Sequence, residues 1–267
     1  MTTLSSVTPS RLSSRDSVVS ALRTAGCVFA EDEAELLLAS ARTPAELSGM
    51  VLRRAAGLPL ELVLGWAEFR GLRIAVAPGV FVPRRRTEFL VAEAVARVPG
   101  ASLVVDLCCG SGAVGAALAD ALDGPELHAA DIDPAAVECA RGNLAPFDGR
   151  VHTGDLYEAL PGALRGRVDL LAANVPYVPS AAVPLLPAEA REHEPAVALD
   201  GGADGLDVLR RVAAGAAGWL APGGCLLSET GARQAPAALA AFAEAGLTPR
   251  LAVSEDMYAH VVVGVRE

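Results

Sequence analysis

The chain has 267 residues, 52% of them hydrophobic, with five cysteines and a net charge of −10. A globule of that length buries roughly 70–75% of its unfolded surface and needs no metal or disulfide staple to fold, and an odd number of scattered cysteines fits a reducing cytoplasm. The acidic balance argues against non-specific nucleic-acid binding, which depends on displaced phosphate counterions, and no apolar run reaches the ~18 residues that a membrane span requires.

Residues 1–15 are rich in serine and threonine and have no apolar core, so they read as a disordered tail rather than a secretory leader. The rest of residues 1–65 reads as a helical domain. "EDEAELLLASA" is one short helical pattern. In "TPAELSGMVLRRAAG", Thr43 is the N-cap, Pro44 the first helical position, Glu46 the partner of a capping box and Gly57 the stop. Residues 66–86 change texture: "WAEFRGLRIAVAPGVFVP" alternates apolar and polar residues around Gly71 and Pro78, as a β-hairpin bridge does. From 87 to 267 strands and helices take turns. Strands are expected at 102–107, 126–131, 149–152, 168–174, 223–230, 249–254 and 260–265, with helices at 87–98, 113–121, 134–144, 205–220 and 234–245. That alternation predicts a Rossmann-like, doubly wound α/β sheet. Only "SEDMYA" separates the last two strands, so they should pair antiparallel. The stretch 175–203 is long and proline-rich, and long loops in compact domains are often functional.

The first strand of the α/β region runs into "VVDLCCGSGAVGAALA", whose Gly110, Gly112 and Gly115 fit G-x-G-x-x-G at a strand-to-helix turn. The bare motif is a weak signal. Its weight comes from acids at successive strand ends: Asp106 before the glycines, Asp131 placed to hold both hydroxyls of a ribose, and Asp155 placed to accept from an adenine amino group. This constellation points to an adenosine-bearing cofactor. A dinucleotide needs its pyrophosphate at the helix N-terminus, whereas S-adenosylmethionine needs an anion for its ammonium, which Asp106 supplies. The adjacent Cys108 and Cys109 have no partner at ligand spacing, so no metal site is expected.

The fourth strand ends in Asn174, Val175, Pro176 and Tyr177. The carboxamide oxygen of Asn174 and the carbonyl of Val175 are two close acceptors, able to hold both hydrogens of a planar NH₂ group. Pro176 stiffens the turn, and Tyr177 offers a flat face. Alone, the four residues would be an ordinary β-turn; behind a methyl-donor pocket they read as the grip on a methyl acceptor.

These segments resemble the protein-(glutamine-N5) methyltransferases that modify peptide-chain release factors, the HemK/PrmC family. "FVPRRRTEFLV" is similar to that family's "PRPxTE" segment, "DLCCGSGAVGAALA" to its cofactor loop with Cys108 in place of the first glycine, and "NVPY" to its "NPPY". "HEPAVALDGGADGLDVLRRV" and "LAPGGCLLSETG" resemble its next two segments, and the glycine-rich one is more diagnostic than NPPY. The resemblance implies a class I S-adenosylmethionine-dependent methyltransferase sheet, with a cofactor pocket formed by Cys108, Cys109, Gly110, Ser111, Gly112, Asp131, Ile132, Asp155, Leu156 and Asn174. It also implies that Asn174–Tyr177 and Arg84 contact the substrate, and that the N-terminal helices help to recognise it. That substrate would be a glutamine in a release factor or in another protein with an exposed glutamine loop. A cytoplasmic monomer without membrane or nucleic-acid partners is expected.

Two departures from the family pattern stand out. Val175 replaces a proline and should loosen the loop; Arg85 and Arg86 replace a proline and an acid, as if to meet an acidic partner. His193 and Glu194 are candidate bases by position only. The competing readings are an amino-methyltransferase acting on a flipped adenine or guanine, a non-catalytic adenosine binder, and a dehydrogenase. All 22 basic residues are arginine, so a Tyr-Lys dehydrogenase set is excluded.

Overall fold

Four helices open the chain: α1 (Arg15–Thr24), α2 (Ala30–Ser40), α3 (Pro44–Ala55) and α4 (Leu60–Leu64). The computed structural model describes residues 14–267, so the expected tail lies outside the described residues except for Ser14, which caps α1, and Arg15, its first residue. Val18, Leu22, Leu37, Leu47 and Val51 give the four helices an apolar core of their own. Thr43 caps α3 as the sequence predicts, accepting from the Glu46 N–H at 3.1 Å. The Glu46 carboxylate overshoots the expected capping box by one residue and takes the Arg42 N–H instead, at 2.9 Å.

Strands β1 (Trp66–Phe69) and β2 (Leu72–Ala75) pair antiparallel. Arg70 and Gly71 between them both have positive φ, the backbone of the two-residue turn that matches strand twist. A helix, α5 (Glu88–Arg97), then leads into the sheet. Its strands are β3 (Leu103–Leu107), β4 (Glu126–Asp131), β5 (Arg150–Thr153), β6 (Val168–Ala173), β7 (Leu220–Thr230), β8 (Thr248–Ser254) and β9 (Ala259–Val265). They lie in the order β5-β4-β3-β6-β7-β9-β8. The first five run parallel, and β9 is antiparallel to both of its neighbours, β7 and β8. α5, α6 (Ala113–Ala121) and α7 (Pro134–Leu144) cover one face; α9 (Asp207–Ala216) and α10 (Ala235–Glu244) cover the other. Among the described residues no helix is long and apolar enough to cross a membrane.

Two elements depart from the sequence reading. Strand β7 begins at Leu220, three residues early, because its pairing with β6 shifts register between Val168 and Leu170; the Pro222-Gly223-Gly224 stretch hides that irregularity from pattern reading. The 175–203 stretch holds a short helix, α8 (Ala188–His193).

Asp169, near the start of β6, ties that strand to β3. Its Oδ2 accepts from the Ser102 N–H (2.9 Å), the Ser102 hydroxyl (2.8 Å) and the Leu103 N–H (3.0 Å). Desolvation pushes its pKa up, but these bonds outweigh it and the carboxyl sits below its ordinary value. A depressed folded pKa stabilises the fold above the unfolded pKa, near 4, and the benefit is lost as pH falls through the folded value. Asp169→Ala should therefore lower the urea-unfolding free energy at neutral pH by about 1–2 kcal/mol. The gap from the parent should narrow on acidification; equal stability at neutral pH would show that the tie contributes nothing.

Candidate active site

Strand register gathers the site. Leu107 of β3 lies opposite Ala130 of β4 and Ala173 of β6, and Asp131 lies opposite Thr153 of β5. The residues that follow these strands, Cys108, Ile132, Asp155 and Asn174, therefore emerge along one edge. The chain reverses its direction of travel across the sheet between β3 and β6, the place where open α/β sheets bind ligands. A cleft of about 740 Å³ opens there.

Asp106, Cys108, Cys109, Gly110, Ser111, Asp131, Ile132, Asp155, Leu156 and the Asn174–Tyr177 loop all line the cleft. Gly112 does not. It caps α6 at φ +78°, and a Cβ there would lie 3.1–3.3 Å from Leu144 and Ala140. It packs closely between α6 and α7. Asn143 of α7 completes the glycine turn from behind: its Nδ2 donates to the Ser111 carbonyl (2.8 Å) and the Ala75 carbonyl (2.9 Å). One amide thus joins the cofactor-side loop to the hairpin. Cys108 itself has φ +54°, the left-handed backbone that favours glycine.

The three carboxylates differ in state. Asp106 is buried, and its Oδ2 accepts the Gly115 N–H at 2.8 Å. Burial pushes its pKa up to about 7 against the pull of that bond, and the nearby Asp131 charge adds to the rise. Asp131 is held at both oxygens, Oδ2 by the Gly110 N–H and Oδ1 by the Asp133 N–H, each at 2.9 Å. Desolvation still leaves it above its ordinary pKa. Asp155 stands at its strand end, but its Oδ2 is paired with Arg211 of α9 at 2.6 Å. Ile132 is exposed and Leu156 buried, so two apolar side chains stand beside the acids.

Asn174 carries the decisive feature. Its Oδ1 is buried and has no hydrogen-bond partner among the described residues. The loop around it is fixed on two sides. Val175 is 2% exposed and sits in the core beneath α9. The glycine-rich segment clasps the loop from outside: the Val178 N–H donates to Leu199 O (3.0 Å), and the Gly201 N–H to Val178 O (2.9 Å). Gln234 Nε2 donates to the carbonyls of Tyr177 (2.9 Å) and Asp204 (2.8 Å). Tyr177 donates its hydroxyl to Glu229 Oε1 at 3.0 Å.

Two of the three arginines before α5 are paired with buried acids. Arg84 lines the cleft and pairs with Oε1 of the buried Glu194, whose Oε2 has no hydrogen-bond partner among the described residues; burial holds this carboxyl above its ordinary pKa. Arg86 pairs with Glu229 at 2.7 Å and donates to the Tyr177 hydroxyl, while Arg85 is exposed. Arg54 of α3 bridges Glu33 and Glu189 of α8, linking the helical layer to the cleft wall. Sequence reading missed Asn143, Arg211, Glu229 and Gln234. Arg211 and Glu229 lie inside quoted segments and Gln234 just beyond one, but nothing in those segments marks their partners.

The residues present fit an adenosine-bearing sulfonium cofactor. The donor set is a buried acid beside a glycine turn, a second acid with both oxygens oriented, apolar flanks, and an unpartnered acceptor next to them. Fold and site together define a Rossmann-like S-adenosylmethionine-dependent methyltransferase. Residues 71–186 match the family model described as methyltransferase small domain. The release factor glutamine methyltransferase of Geobacter sulfurreducens is 39% identical over 228 residues, covering 84% of this chain and 79% of that protein. A 4-amino-L-phenylalanine/4-methylamino-L-phenylalanine methyltransferase from Streptomyces pristinaespiralis is 38% identical over 203 residues, 73% of this chain and 69% of that one. A T. thermophilus 16S rRNA methyltransferase solved with AdoMet and guanosine shares the fold, at TM-score 0.55 and 21% identity, covering 76% of this chain and 50% of that one. The chain belongs to the release factor glutamine methyltransferase family.

Gly205 tests the clasp. It has φ +79°, and a Cβ there would lie 2.3 Å from both the Tyr177 carbonyl oxygen and Gln234 Nε2. Gly205→Ala should cost roughly 2 kcal/mol or more in urea unfolding. Gly142→Ala, in α7 with nothing within 4 Å, should be neutral or gain up to about 1 kcal/mol. Equal effects from the two would remove the glycine-rich segment as the support of the loop.

Proposed function

We propose that the protein transfers the methyl group of S-adenosylmethionine to the side-chain amide nitrogen of a glutamine in a peptide-chain release factor. The observation that carries this reading is the buried, unpartnered Oδ1 of Asn174 at the cofactor edge of the sheet. An acceptor left so costs about 1–3 kcal/mol unless a ligand donates to it, and an amide NH₂ is such a donor. The similarity to release factor methyltransferases over most of the chain supports the same substrate. At the cleft mouth, the exposed Phe29 and Leu36 of the helical layer are placed to meet a protein surface.

The cofactor, when bound, supplies a methyl group on a positively charged sulfur. Asp106 would hold its ammonium, Asp131 the ribose hydroxyls, and Ile132 with Leu156 the adenine faces. Asn174 Oδ1 and the Val175 carbonyl would each take one amide hydrogen. An amide nitrogen is a poor nucleophile because its lone pair is delocalised, so the chain's contribution is alignment: fixing both hydrogens points the nitrogen at the donor side of the cleft. Both oxygens of Glu229 already accept hydrogen bonds, whereas Glu194 keeps Oε2 without a donor at the cleft wall.

One relative favours a second reading. The Streptomyces pristinaespiralis enzyme is named for a small aromatic amine, which also presents an NH₂ on a planar group. Incubation with radiolabelled cofactor separates the two: label should enter release factor and resist nuclease, and label confined to small amines would support the alternative.

Asn174→Ala should keep cofactor affinity within a few-fold and cut methyl transfer about a hundredfold or more, because the lost contact is made at the reacting centre. Retained turnover would return the loop to an ordinary turn. Asp106 adds a pH test. Its raised pKa, about 7 in the free protein, means that an ammonium must first ionise it at lower pH. Affinity for S-adenosylmethionine by calorimetry should be highest at about pH 7–8, before the ammonium itself loses its proton, and weaken about tenfold per pH unit below that, with proton release. A flat profile from pH 5.5 to about 8 would contradict the ammonium contact.

A further inference from the structure

Glu229, near the end of β7, is 2% exposed and lies outside the cleft lining. Three segments meet at its carboxylate. Oε1 accepts from Arg86 Nε at 2.7 Å and from the Tyr177 hydroxyl at 3.0 Å; Oε2 accepts from the buried Thr87 hydroxyl at 2.6 Å. Arg86 also donates to the Tyr177 oxygen, and its guanidinium carbon stands 5.7 Å from the centre of that ring. The turn before α5, the acceptor-side loop and the central sheet are therefore joined at one buried anion.

A buried carboxylate is costly unless its partners stay in place, and removing one partner leaves a charge uncompensated. Tyr177 thus cannot swing without weakening the whole group. From the other side, Gln234 fixes the Tyr177 carbonyl, so both ends of this residue are tied. Asn174, which carries the unpartnered acceptor, is three residues away in the same loop. With three donors already on its two oxygens, Glu229 is poorly placed to accept a substrate proton.

We infer that Glu229 is a positioning residue for methyl transfer: acting through Tyr177 and Arg86, it locks the 174–177 loop in register with the cofactor edge and couples it to the segment that joins the helical layer to the sheet. This rests on the reading of 174–177 as the grip on the methyl acceptor.

The test compares the wild type with Glu229→Gln, Tyr177→Phe and the double variant, using radiolabelled S-adenosylmethionine and purified release factor. Cofactor affinity by calorimetry should stay within about twofold of wild type in all of them. At saturating release factor, kcat should fall about tenfold or more in Glu229→Gln and about fivefold in Tyr177→Phe. The double variant should be no more than about twofold below Glu229→Gln, because the two changes break one linkage. Turnover of folded Glu229→Gln within twofold of wild type would overturn the inference, as would losses that multiply in the double variant. If Glu229→Gln does not fold, Tyr177→Phe decides: it removes one hydroxyl, and unchanged kcat would refute the linkage. Should the wild type label another acceptor from a cell extract and not release factor, the glutamine reading falls, and the same turnover ratios taken with that acceptor still decide the role of Glu229.

Discussion

A buried amide oxygen without a donor is the constraint around which this protein is organised. Folded chains pair nearly all such atoms, yet Asn174 Oδ1 is kept unpaired at the end of a central parallel strand. Keeping it so requires that the loop neither collapse onto it nor drift away. The surroundings meet both needs. Val175 anchors the loop in the core, the glycine-rich segment clasps it along its backbone, and Gln234 bolts that clasp to the start of α10. The acceptor is preorganised, so little ordering is left for the moment of reaction.

The electrostatics divide the cleft. At the cofactor edge two of the three carboxylates have no cation: Asp106 has one backbone donor and Asp131 two, and burial leaves both above their ordinary pKa values, while Asp155 is paired with Arg211. That edge is suited to a ligand bearing positive charge. At the opposite wall nearly every arginine is matched, Arg84 with Glu194, Arg86 with Glu229 and Arg54 with Glu33 and Glu189. These pairs join the helical layer, the turn before α5 and the α8 segment around the mouth. Their value is architectural more than energetic, since the half-exposed members gain little from Coulomb attraction in water.

The α/β half was legible because its signals are local. Strand–helix alternation, the glycine turn after β3 and the acids at strand ends each depend on a few neighbouring residues. The start of β7 was obscured by a bulge, which breaks the period on which a strand is read. The pairing of Arg86 was not legible because its partner lies 143 residues away in Glu229; a charge by itself does not say whether it faces solvent or a buried acid. Asn143 and Arg211 sit in ordinary helical patterns, and nothing local marks the side chains that reach back to a loop. Gly112 matched a motif whose letters do not distinguish contact with a ligand from contact with a helix. The diagnostic weight of "ALDGGADGL" was visible in the sequence, whereas its task of holding the acceptor loop needed the fold.

The most direct measurement is to map the methyl group itself. Release factor incubated with this protein and S-adenosylmethionine, then digested and fragmented in a mass spectrometer, should gain the mass of one methyl group on the side-chain nitrogen of a single glutamine. A release factor recovered unmodified while a small aromatic amine or a nucleic-acid base acquires the methyl would contradict the account.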